Sequence, residues 1–236
     1  MNADRKKDPS LLPDGSMGGA DERVLIVVSV PPERDAVWRG LDGDGRFDVL
    51  VGGVGTAQAA ASTTSALAKS GTAYSLVICM GIAGGFAGRA AVGSLVVASE
   101  IIAADLGAET PDGFCSIDEL GFGSARVEVD SRLAAAVTRS IGEAGLPVCS
   151  GPVLTVTTVT GTAETAAALE ARVPGAAAEA MEGYGVAVAA RAHGVPVLEI
   201  RAISNAVGPR DRAAWRIKEA LDALQAACSA LREVVR

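Results

Sequence analysis

The hydrophobic pattern splits the chain into short apolar runs and longer stretches where apolar residues recur at helical spacing. Val24-Leu25-Ile26-Val27-Val28 is uninterrupted and of strand length, as expected for a strand buried on both faces. Ser29-Val30-Pro31-Pro32 cannot continue a central strand, and Glu33-Arg34-Asp35 opens a short helix. Phe47 to Val51 predicts a second strand, Gly52-Gly53-Val54-Gly55 a turn, and the Ala-rich Thr56 to Lys69 a helix. Ser75 to Met80 predicts the next strand, closed by a glycine-rich turn, Gly81-Ile82-Ala83-Gly84-Gly85.

Val92 to Ala103 reads as a strand, and polar Gly107 to Gly123 as an irregular functional loop or interface arm. Ser131 to Ala144 is amphipathic at helical period, while Val148 to Val159, interrupted by Gly151-Pro152, predicts two extended pieces. Thr162 opens a helix to Arg172, another ends at His193-Gly194, and Pro196 to Ser204 is a buried strand with Asn205 at its carboxyl end. Asp211 is expected to cap a last helix whose apolar stripe is Ile217, Leu221, Leu224, Cys228, Leu231 and Val235. Strands alternating with Gly-rich turns and helices predict an α/β sheet with ligands gathered at strand carboxyl ends. One domain over residues 23–236 is expected. A polar tail over 1–22, lacking the apolar segment of a secretory signal, would precede it as a disordered segment.

Composition then narrows the chemistry. Hydrophobic residues make up 49% of the 236, yet no apolar run reaches membrane-spanning length. A net charge of −7 argues against nucleic acid as a partner. Cys79, Cys115, Cys149 and Cys228 show no C-x-x-C spacing, which disfavours disulfides and zinc and fits a reducing cytoplasm. The single histidine, His193, sits at a helix C-terminus where a cation is favourable; a Ser-His-Asp or Cys-His mechanism would have to use that one residue, and no G-x-S-x-G turn supports it. No clustered ligands suggest a metal, and no cofactor is expected. Gly53-Val54-Gly55 is followed by Gln58 where a dinucleotide fingerprint needs glycine, and no Lys-Ser or Lys-Thr follows either glycine cluster.

What remains are carboxylates, amides, hydroxyls and backbone, suited to acid–base or electrostatic catalysis on a small polar molecule. In Glu179-Ala180-Met181-Glu182-Gly183-Tyr184 an acid stands beside a methionine at the mouth of an apolar helix. A buried carboxylate there is costly unless bound, and its two oxygens accept from two vicinal hydroxyls at once. An acid that merely complements the positive end of the helix dipole is the competing explanation.

Val77-Ile78-Cys79-Met80-Gly81-Ile82-Ala83-Gly84-Gly85, Ala180-Met181-Glu182-Gly183 and Arg201-Ala202-Ile203-Ser204-Asn205 resemble, in this order, three signature stretches of the nucleoside phosphorylase and nucleosidase superfamily. Ile203 to Trp215 is most similar to the futalosine hydrolases, which remove hypoxanthine from futalosine. The resemblance implies a three-layer sandwich, a central twisted mixed sheet flanked by helices, and a nucleoside substrate in a protein that is commonly oligomeric. It implies that Glu182 binds the ribose hydroxyls and that Met181 packs on the sugar. It sets Ala83, Gly84, Thr158 and Val159 against the base, Asn205 on the purine edge with Ser204 beside it, and a first-loop acid on the attacking water. Glu33 is assigned that role, with Asp35 as alternate; Arg210 or Arg212 would meet the substrate's benzoate carboxylate, unless they are simply solvated. Ile82 replaces the hydroxyl by which phosphorylases hold phosphate, which favours water as nucleophile. Asn205 replaces the Asp of adenine-specific relatives, and an amide suits a 6-oxopurine. A phosphorylase, a methylthioadenosine-type nucleosidase and an idle nucleoside-binding regulatory protein are the competing functions.

Overall fold

The computed structural model describes residues 23–69 and 73–235; the expected tail, 1–22, lies outside them. The first half of the chain forms β1 (Arg23–Val28), α1 (Pro31–Leu41), β2 (Phe47–Val51), α2 (Thr56–Lys69) and β3 (Tyr74–Gly85). Then come β4 (Leu95–Ala103), β5 (Gly107–Thr110), β6 (Gly113–Ser116), β7 (Arg126–Glu128), α3 (Ser131–Glu143) and β8 (Val148–Thr155). The remainder forms α4 (Ala163–Arg172), β9 (Ala178–Ala180), α5 (Gly183–Ala192), β10 (Val197–Ala206) and α6 (Ile217–Val234).

Eight strands make one mixed sheet in the order β10-β4-β8-β9-β3-β1-β2, with β7 on β4. β1 lies between β2 and β3, parallel to both, which is why Val24 to Val28 is apolar without alternation. Because β10 pairs with β3 as well as β4, and β9 joins β8 to β3, the pairings close a circuit of five strands. α1, α3 and α6 pack together against the sheet, and α2 and α5 form a second helical group. Gly40 on α1 lies so close to Gln225 and Cys228 on α6 that a Cβ would collide with the α6 backbone.

Four expectations change. Gly81 to Gly85 is not a turn but the last part of β3, held by β10 on one side and, at Gly84 and Gly85, by β9 on the other. Val148 to Thr155 is one strand: Ser99 and Glu100 of β4 bulge opposite Pro152, so the missing N–H falls where the ladder is already interrupted. Gly107 to Gly123 is more ordered than its composition suggests. It contains the β5–β6 hairpin, with Ile117 N–H on the Leu106 carbonyl and the Arg172 guanidinium 3.7 Å over the Phe114 ring. Asp211 caps only a single 3₁₀ turn, Arg212–Ala214, and α6 starts later, at Ile217.

Candidate active site

The site is assembled at the carboxyl ends of β1, β2, β3 and β10. Pro31 and Pro32 begin α1 immediately after β1, and Glu33 is the third residue of that helix. It is 3% exposed. Its Oε2 accepts from the Ser29 and Val30 N–H groups at 2.8 and 3.3 Å, which satisfies donors of the helix start. Its Oε1 reaches 49 residues along the chain to the Ile82 N–H at 2.9 Å. A residue that served only the helix would not cross to β3. Asp35 is partly exposed and paired with Arg34 at 2.8 Å, away from this junction.

Glu182 arrives from the other side. β9 runs antiparallel to β3 with Glu179 opposite Gly84, so the chain carries Met181 and Glu182 back towards Gly81. Glu182 occupies the N-cap of α5, yet its side chain makes no capping hydrogen bond. It accepts instead from Gly55 N–H and Met181 N–H, each at 3.3 Å, and lies 3.3 Å from Arg201 Nη2. These are long contacts, which a ligand with better-placed donors can displace, although the carboxylate is buried. Met181, half-buried, is fixed through its carbonyl by Thr56 Oγ1 at 3.0 Å.

Between the two acids stands Arg201, 1% exposed on β10, a residue to which the sequence assigned no role. Its Nε donates to Glu199 Oε1 at 2.7 Å and its Nη2 to Cys79 Sγ at 3.2 Å. A glutamate and an arginine two residues apart, Glu199 and Arg201, inside the otherwise apolar run Val197 to Ile203 were the available signal. Gly81 makes room for the junction: a Cβ there would sit 2.7 Å from Glu33 Oε1 and 2.8 Å from Arg201 Nη1. Burial raises the pKa of Glu33, opposed by the Ile82 N–H, the Arg201 charge and the Ser29 N–H. Burial works against the Arg201 charge, but Cys79, Glu199, Glu182 and Glu33 together hold its pKa well above the ordinary value.

Asn205 lies near the end of β10, opposite Gly84, which is three residues beyond Gly81 on β3. Its Oδ1 accepts from Ser204 Oγ at 2.8 Å and its Nδ2 donates to the Ala206 carbonyl at 2.9 Å. Buried Ser204 also contacts the Ala83 carbonyl at 3.3 Å, so the amide is held from behind with one N–H and one lone pair free. Gly84 is required here, since a Cβ would come within 2.9 Å of Val207 and 3.3 Å of Asn205 Nδ2. Thr158 and Val159 sit exposed on a loop pinned at both ends. Thr157 N–H is bound to Asp105 at 2.6 Å, while Thr160 is gripped through N–H and hydroxyl by buried Glu179. Glu179 therefore serves the loop rather than the sugar. Arg210 is exposed beside the same loop at Gly161, its guanidinium 5.3 Å from the Trp215 ring centroid. Arg212 lines a cavity of about 520 Å³ with Trp215, Arg216 and Lys218. A cleft of about 560 Å³ bordered by Gly55, Thr56, Thr157 and Tyr184 adjoins the Glu182 side.

From Gly81 to Gly84 is about 10 Å of strand. The junction of the two acids at Gly81 and the amide opposite Gly84 are thus separated by that length of β3. Among the described residues no group of three or more His, Cys, Asp or Glu is placed to hold a metal ion, and no helix is long and apolar enough to cross a membrane.

Residues 25–236 match the family model of the phosphorylase superfamily. The chain is 52% identical to futalosine hydrolase from Streptomyces coelicolor over 230 residues, covering 90% of this chain and 96% of that protein. It is 48% identical to futalosine hydrolase from Acidothermus cellulolyticus over 220 residues, covering 88% and 89%. The native structure of futalosine hydrolase from Helicobacter pylori strain 26695 superposes with a TM-score of 0.76 at 18% identity, covering 90% of this chain and 98% of that one. The central mixed sheet flanked by helices is the fold these proteins share. The chain belongs to the phosphorylase superfamily and, within it, to the futalosine hydrolase family.

Proposed function

We propose that this protein hydrolyses the N-glycosidic bond of futalosine, releasing hypoxanthine and dehypoxanthine futalosine on the route to menaquinone. The observation that carries the reading is the arrangement of Glu33, Glu182 and Asn205, from α1, the start of α5 and β10, about the carboxyl end of β3, in a chain about half identical to futalosine hydrolases over nearly its whole length. Glu182 accepts from the ribose 2′- and 3′-hydroxyls, replacing its three long contacts with two short charge-assisted ones. Met181 packs on the sugar. Ala83 and Gly84 bring bare backbone against the base, with Thr158 and Val159 on its other side. Asn205 donates to O6 or N7 and accepts from N1–H of the 6-oxopurine.

As the glycosidic bond lengthens, positive charge develops on the ribosyl ring, and the fixed carboxylates favour it. Such prearranged groups contribute about 10²–10³ in rate each. Glu33 holds the attacking water and takes its proton as C1′–O forms and the C1′–N bond breaks, while the departing purine, its charge held by the Asn205 N–H, takes up a proton from solvent. Three of the Glu33 lone-pair positions are occupied by backbone N–H groups, which leaves one for the water. Ile82 presents an alkyl side chain where an anion would need donors. Arg210, which has no carboxylate within ion-pair distance among the described residues, meets the substrate's carboxylate. The enzyme acts as one domain over 23–236, needs no cofactor, and works in the cytoplasm as a homo-oligomer. Exposed Leu106, Leu120 and Phe122 on the β5–β6 arm fit a contact between copies.

Chromatography of the purified protein with futalosine, inosine and methylthioadenosine, each with and without phosphate, tests the reading. Hypoxanthine release from futalosine alone, independent of phosphate, is the expected result. Phosphate-dependent release would make it a phosphorylase, adenine release a methylthioadenosine-type nucleosidase, and binding without turnover a regulatory protein.

A further inference from the structure

Glu199 is fully buried on β10, opposite Cys79 of β3. Its Oε1 accepts from Arg201 Nε at 2.7 Å, whereas its Oε2 has no hydrogen-bond partner. The carboxyl is pressed against Gly183, the first residue of α5, so closely that any Cβ there would overlap it. A side chain of this kind is expensive: burial raises its pKa, and Arg201 opposes the rise by its charge and its hydrogen bond. The sheet would be better filled at this position by another valine or isoleucine, as at Val197 and Ile203. Among the described residues, Glu199 makes no hydrogen bond to Glu33 or Glu182, but it holds Arg201, the cation that lies between them.

We propose that Glu199 is a positioning residue, anchoring Arg201 by its Nε edge so that Nη1 and Nη2 remain turned towards Glu33 and Glu182, and setting how much of the guanidinium charge those two acids feel. The groups facing it are Arg201 and Cys79 from the sheet, Glu182 and the positive end of α5, and Glu33 beyond Arg201. A planar guanidinium held at Nε cannot swing without losing its remaining contacts, so one bond orients both Nη groups. The inference rests on the reading of Glu33 and Glu182 as the acids that act on water and ribose.

Glu199→Gln keeps an acceptor for Nε and removes the charge. Arg201 is then less neutralised, which favours ionisation of Glu33, so the acid limb of kcat/KM should move to lower pH by about half a unit to one unit. The anchor is weaker, and kcat at the optimum should fall about ten-fold with a smaller change in KM. Glu199→Asp keeps the charge but is one methylene too short, so kcat should fall while the acid limb stays. Titration of the Glu33 carboxyl by ¹³C NMR in the two proteins needs no substrate, and it stands even if futalosine is not the molecule turned over. A folded Glu199→Gln protein with unchanged kcat, acid limb and Glu33 titration would overturn the proposal. Should that variant not fold, Glu199→Asp with full activity would do the same.

Discussion

Replacing Glu33 by Gln probes the proposed water-holding acid most directly, and the structure sets both halves of the expected effect. Three backbone N–H groups converge on its two oxygens, from Ser29, Val30 and Ile82. Gln has one oxygen. If that oxygen serves Ser29 and Val30, its NH₂ confronts the Ile82 N–H, leaving a buried donor unpaired at about 1–3 kcal/mol. Relief from burying a charge offsets part of this, so the melting temperature should drop by no more than about 10 °C. Activity should fall much further, by about 10²–10⁴ in kcat, the range for loss of a general base. The pH dependence supplies a second check. Burial raises the folded-state pKa of Glu33 above its ordinary 4.5, so the acid limb of wild-type kcat/KM should lie above that value. By linkage, the stability this group contributes is present below about pH 4.5 and is lost as pH rises through the folded-state pKa. The ionised, working form is therefore the less stable one, and the Gln variant should lack that dependence. Thermal melts and hypoxanthine release measured from pH 4 to 9 would decide. A variant within threefold of wild-type kcat that keeps the acid limb would refute the assignment.

Asn205→Asp sets a carboxylate oxygen against the Ala206 carbonyl and against O6 of an oxopurine; kcat/KM for futalosine should fall about 30-fold or more relative to its 6-amino counterpart, and an unchanged ratio would remove Asn205 from base recognition. Glu182→Gln should fold normally, because its three contacts are all long, and should lose about 10²-fold or more in kcat; near-normal turnover would exclude a role at the sugar. Gly81→Ala drives a methyl between Glu33 and Arg201 and should cost about 1–3 kcal/mol and most activity, visible together in a melt and a rate; a fully active, equally stable variant would mean that the junction is loose.

Elements whose pattern is local were readable from sequence. β1, α2 and β2 fall where the apolar run, the Ala-rich helix and the strand were expected, because each is decided by its own residues. Where long-range pairing decides, reading failed. Gly81 to Gly85 carries every mark of a turn, and only β9 and β10 on its flanks make it strand. Pro152 reads as a break, and only the bulge on β4 makes it harmless. At the site, Glu182 stood out as an acid beside a methionine at the mouth of an apolar helix, whereas Glu33 and Asn205 were marked only by the resemblance to the nucleoside phosphorylase and nucleosidase superfamily. Arg201 and Glu199 escaped because a charge within a strand signals only that something is paired, not with what. Glu179 stood beside the expected acid and proved to belong to the Thr160 loop.

On the roles proposed for them, the two acids draw on one buried cation for two different tasks. Glu33 is held by backbone N–H groups, two of them at 2.8 and 2.9 Å, and a group fixed that firmly can keep a water in line without moving. Glu182 is held by three contacts at 3.3 Å, so little is lost when a diol displaces them. Had both been tight, the sugar would have had to break strong bonds to bind; had both been loose, neither would survive burial in its ionised form. Arg201 resolves the conflict by supplying charge to both while tying its strongest bond elsewhere, to Glu199 at 2.7 Å. On that proposal, the extra carboxyl behind the arginine follows from the division of labour in front of it.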